Sequence, residues 1–394
     1  MKLSFILGSG ISIKAGLKNV SEISKIIFSG EGIARHTDSE YYFMPPLYGL
    51  KEDENVKRII NFLEILKKEN YDYFKSIDYE YETNYEDLYF IVSQLDDEIF
   101  GNQKNIFVQN YLKDINTHGE LILESSNTLF PDFKFQDLVS ETKTYIENLV
   151  AKILYRSSED TSYLTFFKEI HDDTEFEEIN FFTLNHDVLL ETYFKKNGLE
   201  FYDGFSKRNG DFEIYDSNLL NNQKRVNLIK LHGSIDWKRY REEGKDWSGD
   251  YIAKYDIKVG YDPKDNKGSI QHPIDNRSEI LIGTENKLKA YNYGIASDMM
   301  CFFKQKLNED NFLIISGYGF KDKGINLRIL DWYYECEYNT IILIHHNFEK
   351  LKQDASFAVG SKMDKWYSEK RLLLIEKKFE DVTWEEIKSK INLG

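Results

Sequence analysis

Short runs of aliphatic, β-branched and aromatic residues recur along the chain, and each ends in a polar or glycine-containing turn. The pattern predicts strands at Lys2–Leu7, Ile179–Leu184, Val226–Leu231, Glu279–Ile282, Phe312–Ser316 and Thr340–His345. These runs are apolar on both faces, as in a parallel sheet covered by helices on each side. The fold expected is therefore α/β and doubly wound, with a mainly parallel sheet whose ligands bind at the carboxyl ends of its strands.

Between about residue 41 and residue 165 the texture changes. Val56–Lys68, Tyr85–Leu95, Lys104–Leu112 and Phe135–Leu154 carry apolar residues at helical spacing with charges between them, as in Ile59, Phe62, Leu63 and Leu66. The block reads as a helical insertion, 41–165, inside a discontinuous sheet domain made of residues 1–40 and 166–394. Tyr202–Tyr215 and Lys238–Gln271 are polar, aromatic and punctuated by glycine, which predicts hairpins or loops beyond the sheet edge.

Charge narrows the partners. Lys and Arg number 51 against 67 Asp and Glu, a net charge of −16 with no dense basic run. Such a surface repels a polyanionic duplex, so direct DNA binding by this chain alone is disfavoured. Cys301 and Cys336 are the only cysteines, too few for a disulfide framework or a four-cysteine zinc site. The apolar run at the N-terminus is broken early by Gly8, and no stretch approaches the roughly 20 apolar residues that span a bilayer. The expectation is a cytoplasmic protein with no membrane contact.

Four strand ends carry candidate chemistry. In Gly8-Ser9-Gly10-Ile11-Ser12 a glycine turn lies between a strand and an expected helix, which would let backbone approach a pyrophosphate and offer it N–H donors, with hydroxyls from Ser9 and Ser12. The plain alternative is a tight strand-to-helix turn, and the spacing lacks the third glycine of the dehydrogenase fingerprint. Thr183-Leu184-Asn185-His186-Asp187 places an amide and a carboxylate at a strand end, either to cap the following helix or to hold a ribose or an amide. His232, in Leu231-His232-Gly233-Ser234, has the same placement and is either structural or a base. Gly317-Tyr318-Gly319-Phe320 follows another strand and would bring backbone close to a nucleotide.

Taken in order, these motifs resemble the sirtuin family. Gly8-Ser9-Gly10-Ile11-Ser12 with Gly16 is similar to the glycine and serine motif that cradles NAD+. Thr183–Asp187 is similar to the Thr-Gln-Asn-Ile-Asp segment around the nicotinamide ribose, and His232-Gly233 to the His-Gly motif with the catalytic histidine. Gly317–Phe320 takes the place of the late loop near the adenosine. The resemblance covers roughly residues 1–35 and 175–350 and implies a Rossmann-like fold that binds NAD+ through Gly8, Ser9, Gly10, Ser12, Thr183, Gly317, Tyr318, Gly319 and Phe320. Two departures stand out: the Asp-Phe-Arg segment of protein-deacylating sirtuins is missing, as are their zinc cysteines. In this the chain is similar to the sirtuin-like domains of bacterial antiphage systems, such as Thoeris effectors and the sirtuin–HerA pair.

That likeness implies NAD+ hydrolysis to ADP-ribose and nicotinamide without zinc, in an oligomer, with a HerA-type hexameric ATPase as partner. Asn185 would orient the ribose or the attacking water, Asp187 would hold the carboxamide or stabilise positive charge, and His232 would accept a proton. His186 is an alternative base, although alternation along a strand would point it away from Asn185. Rival readings are a deacylase or ADP-ribosyl transferase, a non-catalytic nucleotide-sensing scaffold, and a nuclease using acids such as Asp96-Asp97-Glu98, which otherwise read as a solvated helix face.

Overall fold

A computed structural model describes residues 1–43, 53–77, 81–101, 104–123, 134–155, 160–217, 225–242, 244–255, 263–275 and 277–392. Its elements begin with β1 (Lys2–Leu7), α1 (Val20–Ser29), β2 (Ile33–Arg35), β3 (Tyr41–Phe43), α2 (Glu54–Lys75), α3 (Tyr85–Ile99), α4 (Ile106–Leu123), α5 (Phe135–Leu154) and α6 (Thr165–Asp172). There follow β4 (Glu178–Thr183), α7 (Leu189–Lys196), β5 (Phe205–Asn209), β6 (Phe212–Tyr215), β7 (Val226–Lys230), β8 (Gly233–Arg241), β9 (Asp250–Lys254) and β10 (Ser278–Ile280). The chain closes with α8 (Asn286–Ala290), α9 (Gly294–Glu309), β11 (Phe312–Ser316), α10 (Lys323–Glu335), β12 (Thr340–Ile344), α11 (Phe348–Asp354), α12 (Phe357–Ser368), β13 (Leu372–Ile375) and α13 (Trp384–Ile391). Two compact units result: Met1–Leu17, Leu154–Leu281 and Lys287–Gly394 form the first, and Lys18–Ile153 with Ile282–Asn286 the second.

The first unit is built on six parallel strands in the order β13-β12-β11-β1-β4-β7. From β1 the chain moves outward through β4 to β7, then returns to β11 on the other side of β1 and moves outward again. That is the Rossmann-like, doubly wound order, with its reversal between β1 and β11. Alternate strand residues feed opposite cores. Ile6, Phe182 and Ile229 pack with Met299, Phe303, Ile329 and Trp366 on one face. Phe5, Phe181 and Leu228 pack with Phe167, Phe194 and Ile387 on the other. Each such buried side chain contributes about 1.5–3 kcal/mol of transfer free energy, so both faces hold the sheet in register.

Two strand predictions need correction. Glu279–Ile282 contains β10, but β10 pairs antiparallel with β8 outside the parallel sheet, and its residues are only half-buried. A strand polar and half-solvated in this way belongs to an antiparallel sheet. The sixth parallel strand is instead β13, whose Leu-rich run has no periodicity of its own and is fixed by pairing with β12. The segments Tyr202–Tyr215 and Lys238–Gln271 supply β5, β6, β9 and the last four residues of β8 to a five-stranded sheet ordered β10-β8-β9-β6-β5. Residues 243 and 256–262 of the second segment lie outside the described residues.

The second unit holds the helices expected from periodicity. On α2 the buried stripe includes Val56, Ile59, Phe62, Leu63 and Leu66. This unit begins at Lys18 rather than at residue 41, because α1 is bonded to α3 and α5. Ser24 Oγ accepts the Tyr85 N–H at 3.0 Å, and Tyr145 Oη donates to the Ile27 carbonyl at 2.8 Å. Asp96 is half-buried and bonded to Lys143 at 3.0 Å and to Ser140 at 2.9 Å, so the acidic run is an interhelical contact, not a solvated face.

Candidate active site

The carboxyl ends of β1 and β11 meet where the strand order reverses, and glycine makes that meeting possible. A Cβ on Gly8 would lie 2.3 Å from the Gly317 oxygen, and one on Gly10 would lie 2.6 Å from Gly317 Cα. Gly317 itself has φ +66, and a Cβ there would lie 2.8 Å from both the Gly8 oxygen and the Ile11 nitrogen. These three glycines are thus accounted for by backbone packed on backbone. Gly319 is different, because no atom lies within 4 Å of its missing Cβ.

The helix expected directly after Gly10 is not there. Ser9–Ile11 is one 3₁₀ turn, and the first α-helix starts only at Val20, behind an Asn19–Glu22 capping box. Four of the five N–H groups of Gly8–Ser12 bond within the protein: Gly8 to the Ser316 oxygen, Gly10 to Gly317, Ile11 to Gly8 and Ser12 to Ser9. A single 3₁₀ turn has little dipole to offer an anion. Of the main-chain donors in Gly8–Ser12, the Ser9 N–H is the one with no bond to the main chain.

What the loop does present is Ser12, which is buried against the end of β4. Asn185 Nδ2 donates to Ser12 Oγ at 3.0 Å and to the Gly8 carbonyl at 3.2 Å. Ser12 Oγ in turn donates to Asp187 Oδ2 at 3.0 Å, while Asp187 Oδ1 accepts the Leu189 N–H at 3.0 Å, capping α7. Thr183 Oγ1 accepts the Asn185 N–H at 3.1 Å and so fixes where the amide starts. Beneath them the buried Lys230 at the end of β7 donates to the Asp187 carbonyl and pairs with Glu191 at 3.0 Å. Asp187 therefore fills the capping role open to it, and Ser12 and Asn185 are locked to it.

The second cluster forms around His232. Its Nε2 lies 3.1 Å from Asp322 Oδ2 and 2.8 Å from Tyr291 Oη. Tyr291 Oη also donates to Asp322 Oδ2 at 2.8 Å, while Asp322 Oδ1 caps α10 through the Ile325 N–H at 3.0 Å. Burial alone would push the Asp322 carboxyl up. The hydrogen bond and charge of His232, with Lys287 and the Ile325 N–H, outweigh that and hold it below the usual carboxylate range. Asp322 and His232 are each under a tenth exposed, so they form a desolvated acid–imidazole pair.

His186 joins this cluster, against expectation. The segment after β4 is irregular, so strand alternation does not govern it, and the His186 ring lies 6.1 Å from that of His232. Its main-chain oxygen accepts from the Ile235 N–H at 3.0 Å. Because Asn185, His186 and Asp187 are consecutive, the two clusters form one continuous group at the ends of β1, β4, β7 and β11.

Tyr318 and Phe320 are placed differently from the glycines beside them. Tyr318 Oη donates to Asn326 Oδ1 at 2.8 Å, and both rings pack into the core. Ser9 is exposed, and in the late loop Gly317 and Gly319 are half-buried. Sequence reasoning missed Asp322 and Tyr291. Asp322 had a signal, since an acid just before an amphipathic run reads as a helix cap, but that reading gives no hint of its second oxygen. Tyr291 had none.

No curated protein matches the chain. Among the described residues no three metal-ligating side chains gather, and no helix is long and apolar enough to cross a membrane. A family model, however, covers three of the four strand ends just described, those of β4, β7 and β11 with Asn185, His232, Asp322 and the Gly317 loop, while the β1 end with Ser12 lies outside it. Residues 179–358 match the SIR2-like domain, so this chain carries a SIR2-family domain on its Rossmann-like sheet, with the NAD-related chemistry which that family uses.

Proposed function

We propose that the chain is an NAD+ glycohydrolase, converting NAD+ and water to ADP-ribose and nicotinamide. The observation that carries this reading is the continuous group Ser12–Asn185–Asp187–His186–His232–Asp322 at the strand ends of a SIR2-like domain. Two features suit a nucleotide there: the missing side chain of Gly319 leaves open space beside the loop, and the group contains a buried polar atom without a protein partner, His186 Nδ1.

Cleaving the bond between ribose C1′ and a cationic nicotinamide needs no general acid, because the leaving group departs neutral. What the chain must supply is orientation, a counter-charge for developing positive charge at C1′, and a place for one proton. Asn185, held by Ser12 and Gly8, would orient a ribose hydroxyl or the water. Asp187 would supply negative charge, and His232 a ring fixed in orientation by Asp322. In cells this activity would deplete NAD+ as an antiviral effector, within a homo-oligomer and beside a HerA-type ATPase. The second reading, a deacylase or ADP-ribosyl transferase, calls for an acceptor site, and no observation favours it.

The test is NAD+ turnover by the purified chain, with nicotinamide, ADP-ribose and cyclic products resolved by chromatography. Asn185→Ala and His232→Ala should each lower turnover by about 10²-fold or more, with circular dichroism unchanged. Near-wild-type turnover in either variant would remove that residue from the mechanism. Nicotinamide release that requires an added protein acceptor, with the ADP-ribosyl group found on that acceptor or on its acyl group and no free ADP-ribose, would favour the second reading.

A further inference from the structure

One nitrogen of His232 is clamped by two side chains that meet each other. Nε2 lies 3.1 Å from Asp322 Oδ2 and 2.8 Å from Tyr291 Oη, and Tyr291 Oη donates to the same Asp322 oxygen at 2.8 Å. The tyrosine has a single proton and a carboxylate only accepts, so two protons must serve this closed triangle. Oη gives its proton to Asp322, and Nε2 gives its own to Oη and Oδ2. A bare Nε2 would instead set a lone pair against a buried carboxylate. The neutral ring therefore keeps its lone pair on Nδ1.

Both jaws of the clamp are themselves held. Asp322 Oδ1 accepts the Ile325 N–H at 3.0 Å, and the Asp322 carbonyl accepts from Tyr318 Oη at 3.1 Å. Tyr291 stands in the turn between α8 and α9, and its ring lies against the buried Gly324 in the first turn of α10. A Cβ at Gly324 would lie 2.5 Å from Tyr291 Cε2 and 2.8 Å from Cδ2. Alanine is the better helix former, so the glycine there is accounted for by the ring it seats.

We propose that Tyr291 is a positioning residue of this site: seated against Gly324, its hydroxyl clamps His232 Nε2 to Asp322 and leaves Nδ1 as the nitrogen that takes the proton. The proposal rests on the NAD+ glycohydrolase reading above. In that hydrolysis the water oxygen bonds C1′, and the C1′–nicotinamide bond breaks with its electron pair passing to the pyridinium ring. The proton lost by the water reaches His232, directly or through a ribose hydroxyl, and then solvent. Tyr291 acts on this step through the ring it holds, so its loss should be felt in turnover and not in substrate binding.

The experiment measures nicotinamide release by the full chain and its Tyr291→Phe, Gly324→Ala and doubly substituted variants. Tyr291→Phe keeps the ring and removes only the hydroxyl, and Gly324→Ala displaces the ring while favouring the helix. Each single variant should lower kcat about 10–100-fold with KM within threefold. The double variant should fall no more than threefold below Tyr291→Phe, because both changes break one clamp. Nitrogen-15 spectra of histidine-labelled wild type at pH 8.5 should place the proton on Nε2 of the ring whose signals are missing from His232→Ala.

Tyr291→Phe within threefold of an active wild type overturns the proposal and leaves the glycohydrolase reading standing. So does a raised KM with kcat unchanged, which would put Tyr291 on the substrate. Effects that multiply in the double variant, or a proton on His232 Nδ1 at pH 8.5, overturn it as well. A wild type that binds NAD+ yet releases no nicotinamide overturns the glycohydrolase reading and, with it, the role of Tyr291 in turnover.

Discussion

Replacing Asp310 with asparagine should change how stability depends on pH, and the structure fixes both sign and size. Asp310 lies between α9 and β11 at the amino edge of the parallel sheet, 4% exposed, with Ser4 Oγ donating to one carboxyl oxygen and the other without a partner. Burial is the main cause that drives its pKa up from 3.8 to about 7, with Glu178 and Glu309 adding to the rise and Ser4 and Lys2 opposing it. The nearby cations are taken, Lys306 by Glu178 at 2.6 Å and Lys2 by Glu309 at 2.6 Å. Between pH 3.8 and 7 the unfolded carboxyl is ionised while the folded one keeps its proton. Each pH unit in that window therefore lowers stability by about 1.4 kcal/mol. The contribution is complete below pH 3.8 and is lost as pH rises through 7, a total of about 4 kcal/mol against the 5–15 kcal/mol typical of a folded domain. Urea unfolding followed by tryptophan fluorescence reads the right region, because Trp237, Trp247, Trp332, Trp366 and Trp384 all belong to the first unit. Trp332 Nε1 also donates to the Asp310 carbonyl at 2.9 Å, a bond the substitution leaves in place. From pH 5 to 7 the wild type should lose about 2–3 kcal/mol relative to Asp310→Asn. Parallel pH profiles, or a wild type that gains on the variant as pH rises, would refute the argument.

Other substitutions separate structural from ligand-facing roles. Gly317→Ala places a Cβ against backbone at a positive φ and should cost about 2–4 kcal/mol, read as a shift in the urea midpoint. Gly319→Ala meets no atom within 4 Å and should change stability by less than about 0.5 kcal/mol. If a nucleotide runs along this loop, the same variant should weaken NAD+ binding by calorimetry, and unchanged affinity would place the nucleotide elsewhere. Asp322→Asn leaves the buried His232 without its counter-charge and should cost about 3 kcal/mol, with turnover reduced at all pH values. Because the Asp322 carboxyl is held below 3.8, its contribution is complete above that pH and is lost only as pH falls further. Stability unchanged in this variant at pH 7 would show that the pair is not ionised.

The parts legible in the sequence are those that a local pattern determines. Ile6, Phe182 and Ile229 belong to runs apolar on both faces, and such runs have few places to go other than a covered parallel sheet. Asn185 and His232 stood at strand ends, and a doubly wound sheet brings strand ends together whatever the loops contain. The parts that were not legible depend on partners distant in sequence. Nothing local says that Gly8 and Gly10 are glycine because Gly317 lies against them, or that the turn after them is 3₁₀. His186 was misplaced because a period-two rule was carried three residues past the end of its strand. Asp310 and Asp322 show the limit most clearly, since both are aspartates beside β11 and both are buried. One faces carboxylates across the amino edge of the sheet and keeps its proton until the pH approaches about 7. The other faces an imidazole and a lysine beyond the carboxyl edge and gives its proton up. The first arrangement withdraws stability as pH rises, whereas the second fixes the orientation of the His232 ring at the candidate site. Charge state, and with it function, is set by which edge of the sheet a residue faces, and that is a property of the strand order and not of the residues next to it.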